Sequence, residues 1–375
     1  MKHRLINAKS VDTLIEEIDK SIKKSFTPTI AFIYLSVKYD IPYLVNILDK
    51  YDFVIVGSTT HGEIYADDSL GVNIEAQTIT CMLLDLDKTS FHLKLKEKAE
   101  STHYEFGVKM AKWSRKKVDS PTVLTLTAGL AFNNESYIQG LQTGVRHLFG
   151  AAAGDDNLFQ GTHVFSGKKL ISHGALVLVI DNEKVDIVST RSFGWSGIGT
   201  QRIVTKSTQN IVYTIDDKPA VEFYKDYLNI SSSDMPGMGV DYPMEVVLKN
   251  GQTVYRAALH INDDGSLLFA GHVEEHAKVR ISAPMGGGII DYVGQSIDDS
   301  LGKVEGFEAD FTLIFPCASH KNLLGSYAIK EIEAVYTKTK KAPLIGFYAY
   351  GEIASSKLSN AFHNETFVTV QLREK

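Results

Sequence analysis

Two stretches far apart in the chain carry one pattern. GSTTHGEI at 57–64 and GFYAYGEI at 346–353 both read G-x4-G-E-I, and each follows a short apolar run, FVIV at 53–56 and LI at 344–345. Their surroundings match too. Before the first copy, TIAFIYL at 29–35 reads as a buried strand, rich in β-branched and aromatic residues. Asp40 then caps a helix with Pro42 in its first turn, where a missing N–H leaves nothing unsatisfied. Its apolar positions Ile41, Leu44, Val45 and Leu48 keep to one helical face. Before the last copy, FTLIF at 311–315 is the strand, and Leu324, Ala328, Ile332 and Val335 mark the helix. Each copy is strand, helix, strand, then a G-E-I loop.

A looser third copy lies between them. TVLTL at 122–126 reads as a strand, and Asn134 as a cap for a helix bearing Ile138, Leu141, Val145 and Leu148. The glycine loop FGAAAGDD at 149–156 comes next, and the second strand is expected after it, at GALVLVI, 174–180. The common element is a β-α-β crossover, which is right-handed and lays helices against a sheet. The expected fold class is therefore α/β, built of repeated strand-helix-strand units with glycine loops at strand ends. Strand-like runs at 245–248, 255–258, 267–270 and 278–281 add an antiparallel insertion before the last crossover.

With 375 residues, the chain exceeds the ~100–200 of a typical single domain. The most linker-like stretch, SSSDMPGMG at 231–239, divides it into an expected N-terminal module, 1–230, and a C-terminal one, 231–375. A formal charge of -6 argues against a nucleic-acid binder. Cys81 and Cys317, both in apolar stretches, read as small hydrophobes in a reducing compartment. The N-terminus lacks the apolar core of a signal segment, and no run approaches the ~18 apolar residues of a membrane helix. A cytoplasmic protein is expected.

Loops beyond strand ends are where α/β proteins bind ligands, and glycine lets the backbone approach closely. The loops nominate Thr60, His61, Gly62 and Glu63 from the first copy. Gly154, Asp155 and Asp156 come from the second, and Tyr350, Gly351 and Glu352 from the third. The carboxylates among them suit a hydrated cation, or equally a structural role on helix ends and loop amides.

Taken in order, these segments resemble the FIST domains, an N-terminal and a C-terminal module of bacterial signal-transduction proteins. The resemblance runs through 57–64, 150–156, Gly194-Trp195-Ser196, 212–216, Asp264-Gly265-Ser266-Leu267, Cys317, 346–353 and His363-Asn364. His61 stands where the family has a small residue, and His320 where it has arginine. The resemblance implies a stand-alone, non-catalytic sensor that binds a small molecule and regulates a histidine kinase or cyclic-di-GMP enzyme in trans, as in two-component regulation. It also brings in one haem-binding group, the NosP-type nitric-oxide sensors. Haem, the cofactor of that group, would have His61 or His363 as axial-ligand candidates here.

One motif points elsewhere. HVEEH at 272–276 matches the inverted zinc-protease signature H-x-x-E-H, so a metal-dependent hydrolase using His272 and His276 is the enzymatic alternative. That chemistry needs both imidazoles on one helix face. This stretch sits between strand-like runs, which makes it a hairpin loop. Gly286-Gly287-Gly288 lacks the Gly-Lys-Ser/Thr of a phosphate loop.

Overall fold

The computed structural model describes residues 1–23, 26–228, 230–285, 288–355 and 362–375. Gly286 and Gly287 of the glycine triplet lie outside them. Three units of one topology emerge. The first runs through strand His3–Ala8, helix Val11–Lys23, strand Ile30–Leu35, helix Ile41–Leu48 and strand Val54–Thr59. A hairpin, Glu63–Asp67 with Gly71–Glu75, and a last strand, Ile79–Leu84, complete it. The second repeats the order from Phe91–Glu97 through Thr122–Ala128 and His147–Ala152 to Gly174–Ile180, with its hairpin at Val164–Ser166 and Lys169–Ile171. In the third, Val185–Phe193, Phe311–Pro316, Leu344–Phe347 and Thr366–Glu374 take the same places, and the hairpin is Gly351–Ala354 with Phe362–His363.

Each unit makes a mixed sheet in which only the two crossover strands are parallel: Ile30–Leu35 with Val54–Thr59, Thr122–Ala128 with His147–Ala152, and Phe311–Pro316 with Leu344–Phe347. The hairpins do not stay at home. The first unit's hairpin joins the third sheet, the second's joins the first, and the third's joins the second. The exchange is cyclic. It also covers the open edge that each third strand would otherwise present.

The three sheets face one another around a shared core. Phe32 and Tyr34 from the first meet Phe311, Phe315 and Phe347 from the third, with Tyr34 and Phe347 rings 4.8 Å apart, while Leu124, Leu126 and Phe149 come from the second. The alternate residues Ala31, Ile33 and Leu35 point outward, under the first unit's helices. Separate clusters sit beneath the helices of the second and third units. Strands covered on both faces read as unbroken apolar runs, which is why 29–35 shows no alternation.

The sequence expectation differs from this in three places. The second unit's crossover strand is His147–Ala152, with Gly150 inside it, and 174–180 is the antiparallel partner instead. The G-E-I residues open strands rather than form loops. The antiparallel insertion starts at Trp195 and ends at Pro284, so it is a lobe with its own eight-stranded sheet and its own core around Val204, Tyr224, Met244 and Phe269. The boundary expected at 230 falls inside this lobe. Among the described residues no helix is long and apolar enough to cross a membrane.

Candidate functional site

The crossover strands of the three units end at one place. Beyond them, His61 N–H donates to Tyr348 O at 3.0 Å, Gly154 N–H to Thr59 O at 3.1 Å, and Tyr350 N–H to Ala152 O at 3.2 Å. Each unit thus donates to another in a closed ring. His61, Gly154 and Tyr350 hold equivalent positions around it. Glycine is required in the second unit, because a Cβ on Gly154 would lie 2.6 Å from His61 N.

The nominated residues converge here. Asp155 accepts from Phe159, Gln160 and Gly161 N–H and from the Tyr350 hydroxyl at 2.6 Å, and that hydroxyl accepts from Asn157 N–H. Asp156 N–H donates to Thr60 O, and its carboxylate takes the Ser36 hydroxyl at 2.5 Å. Asp156, Asn157 and Phe159 all have positive φ, so the loop is held in a costly conformation by these bonds. The Phe159 ring, 57% exposed, stacks on Tyr350 at 5.1 Å. Tyr350→Phe removes both hydroxyl bonds and is expected to cost about 1–2 kcal/mol. Faster amide hydrogen exchange confined to 155–161 is the check.

Glu63 and Glu352, by contrast, are wholly buried. Glu63 takes Thr78 N–H and hydroxyl, both at 3.1 Å, and the Thr60 hydroxyl. Glu352 takes Thr366 N–H at 3.2 Å and its hydroxyl at 2.7 Å. Thr78 immediately precedes and Thr366 opens the last strand of its unit, so the two glutamates clamp equivalent strands. Burial pushes the Glu63 carboxyl up to about 7, and it raises Glu352 well above the ordinary range, with nearby Glu365 adding to the effect. Of the two roles left open for these carboxylates, the observed one is bonding to backbone amides. Gly62 and Gly351 are buried beside them.

Polarity at the ring comes from His61 and Lys321. His61 is 8% exposed and neither ring nitrogen has a hydrogen-bond partner of good geometry. Burial, then the Lys321 charge, lowers its pKa, so the imidazole is neutral at pH 7. Lys321 Nζ donates to His61 O at 3.0 Å; its own pKa is lowered by burial and partly restored by Glu63 and Asp156. Lys321, Ser36, Thr78 and Thr366 were not among the sequence candidates. Ser36 and Cys317 hold equivalent places, since Ser36 N–H bonds Thr78 O as Cys317 N–H bonds Thr366 O. Aligning the first and third units would have paired both sets.

The remaining histidines lie elsewhere. His363 is buried, its Nε2 2.8 Å from Arg191 and 3.2 Å from Ala354 O, with a pKa driven down by burial and by the Arg191 charge. His272 and His276 sit in the loop after strand Leu267–Phe269, not on a helix. His276 is in left-handed backbone and its side chain is 70% exposed. Among the described residues no group of three His, Cys, Asp or Glu side chains is placed to hold a metal. Cys81 and Cys317 are both buried free thiols.

The family model for the FIST N domain matches residues 29–218, and that for the FIST C domain matches 220–355. No curated protein matches the chain.

Proposed function

The chain belongs to the FIST family, and from that premise we propose that it is a sensor that binds a small molecule where its three loops meet and turns over no substrate itself. FIST domains are associated with signal transduction through sensing of small ligands. The observation that carries the reading is the ring of three hydrogen bonds, which brings one loop from every unit to His61, Tyr350 and Lys321. A buried imidazole whose nitrogens are poorly paired, with the Asn322 side chain as its close hydrogen-bonding neighbour, costs up to about 1–3 kcal/mol. A ligand that pairs with it recovers that energy. Lys321 offers a cation beside it, and Asp156 an anion, so the complementary molecule is small and polar with both donors and acceptors.

Information then leaves through a partner, a histidine kinase or cyclic-di-GMP enzyme acting in trans, in a reducing, cytoplasmic setting. A ligand shifts such a partner only by favouring one conformation of the sensor. The ring suits that role because a change at one loop reaches the other two sheets directly. Lys321→Ala should abolish the ligand-dependent change in the partner's rate while leaving the fold intact, as read by the partner's turnover with and without ligand. An unchanged response in that variant would move the site elsewhere.

The haem reading rests on His61, whose neutral imidazole has the electronic character of an axial ligand. His363 is the less suited candidate, because it is fully buried and its Nε2 is already engaged. His61 is buried beside Lys321 and Tyr350, with Asp155 and Asp156 close by, and such polar company suits a compact polar ligand better than an apolar macrocycle. Protein from haem-supplemented cells is expected to show no Soret band. A Soret band lost in His61→Ala would establish the gas-sensor reading instead.

A further inference from the structure

A cleft of about 590 Å³ separates the second unit from the inserted lobe, and it shares no residue with the three-loop junction. Helix Asn134–Leu141 and the residues before it form one wall, and strand Leu267–Phe269 with the residues after it forms the other. Its size falls in the range of small-molecule sites, roughly 300–1,000 Å³.

We propose that this cleft binds an uncharged, flat-faced molecule of the nucleobase or nucleoside class, held by side-chain amides against an apolar wall. Charge is the first argument. Glu135 is the only Asp, Glu, Lys or Arg among the described lining residues, and it is already engaged. It accepts from His272 N–H at 2.8 Å and faces the wholly buried Arg256 guanidinium at 3.5 Å. These contacts also tie the two walls together. A charged ligand would lose its water here and meet no counter-charge in return.

Hydrogen bonding is the second. Gln139 and Gln209 are exposed at the cleft, and Asn134 and Asn210 join them. Asn134 Oδ1 takes the Thr127 hydroxyl at 2.6 Å, which fixes the amide and leaves its NH2 to donate; Asn210 Nδ2 is fixed on Phe269 O at 2.8 Å. Side-chain amides match the paired donor and acceptor edges of a base. The third argument is the wall itself. Leu130, 46% exposed, lies beside buried Phe132 on the helix side, and Leu259, 36% exposed, faces the cleft from the lobe, so a planar ring can lie against apolar surface on either wall.

Calorimetric titration of the full chain with the four common ribonucleosides, and with AMP beside adenosine, tests this. At least one nucleoside should bind, and the phosphate of AMP should weaken adenosine's class of binding by ~10-fold or more. Gln139→Trp, at an exposed helix position, should block the cleft, and the milder Gln139→Glu should weaken uptake, while Lys321→Ala leaves it unchanged. Failure of all four nucleosides at millimolar concentration, AMP binding as tightly as adenosine, or binding untouched in both Gln139 variants would overturn the proposal. Loss in Lys321→Ala would place the nucleoside at the junction and overturn it as well.

Discussion

Replacing Gly150 with alanine is expected to cost at least about 3 kcal/mol of folding stability. The residue has φ +144° in the middle of strand His147–Ala152, and an added Cβ would lie 1.9 Å from the Thr125 carbonyl oxygen on the parallel neighbour. Neither strand can retreat. Leu124 and Leu126 press into the shared core, and Val123 packs beneath the outer helices. Gly346 stands in the same register of the third sheet, 1.9 Å from Ile314 O by the same measure, so Gly346→Ala should fail alike. Gly57 keeps the place in the first sheet for another reason: the Phe165 ring fills the space a Cβ would need. Gly237→Ala, which meets nothing within 4 Å, serves as the control and should be neutral or slightly stabilising. Urea denaturation midpoints read all three variants. A small loss in Gly150→Ala would mean the crossover strands are looser than the repeated topology requires.

Glu63→Gln should stabilise the protein by about 3 kcal/mol at pH 8 and by less than about 1 kcal/mol at pH 5. The folded carboxyl is held up to about 7 by burial, against 4.5 when exposed. Between those values the folded state keeps a proton that the unfolded state has released. Stability from this group is therefore full below about pH 4.5, falls as pH rises through 7, and is level beyond it. Glutamine keeps the shape, still accepts from Thr78, and can donate to the Thr60 hydroxyl, without a charge to bury. Glu365, pushed up to about 7 by burial, should behave in the same direction. Equal destabilisation of Glu63→Gln at both pH values would show that the ionised carboxylate is needed in the folded state.

The repeat itself was legible, because G-x4-G-E-I and its flanking strand and helix recur in the first and third units. The second unit was misread for a physical reason. Its hairpin opens with Val164 where the others have glutamate, and the crossover strand HLFGAA carries glycine and alanine instead of a β-branched run. The G-E-I segments looked like loops since their glycines suggest turns, and full burial removes the alternation that marks a strand. The cyclic exchange of hairpins has no local sequence signal. It depends on which open sheet edge lies nearest once three units pack. Choosing residues from the glycine loops found the ring, since His61, Gly154 and Tyr350 are its three equivalent positions. It missed Lys321, which reaches the ring from helix Ala318–Leu324 in the third unit.

The proposed sensor holds a small molecule at the three-loop junction and does not transform it there. Incubating the full chain with a small-molecule cell extract, removing unbound compounds, and profiling bound and free fractions by mass spectrometry tests it most directly. The expected result is a compound retained by the wild type and by Gln139→Trp, lost in Lys321→Ala, and recovered chemically unchanged. A compound consumed over time with a product accumulating, above all if metal-dependent and abolished by His276→Ala, would contradict it.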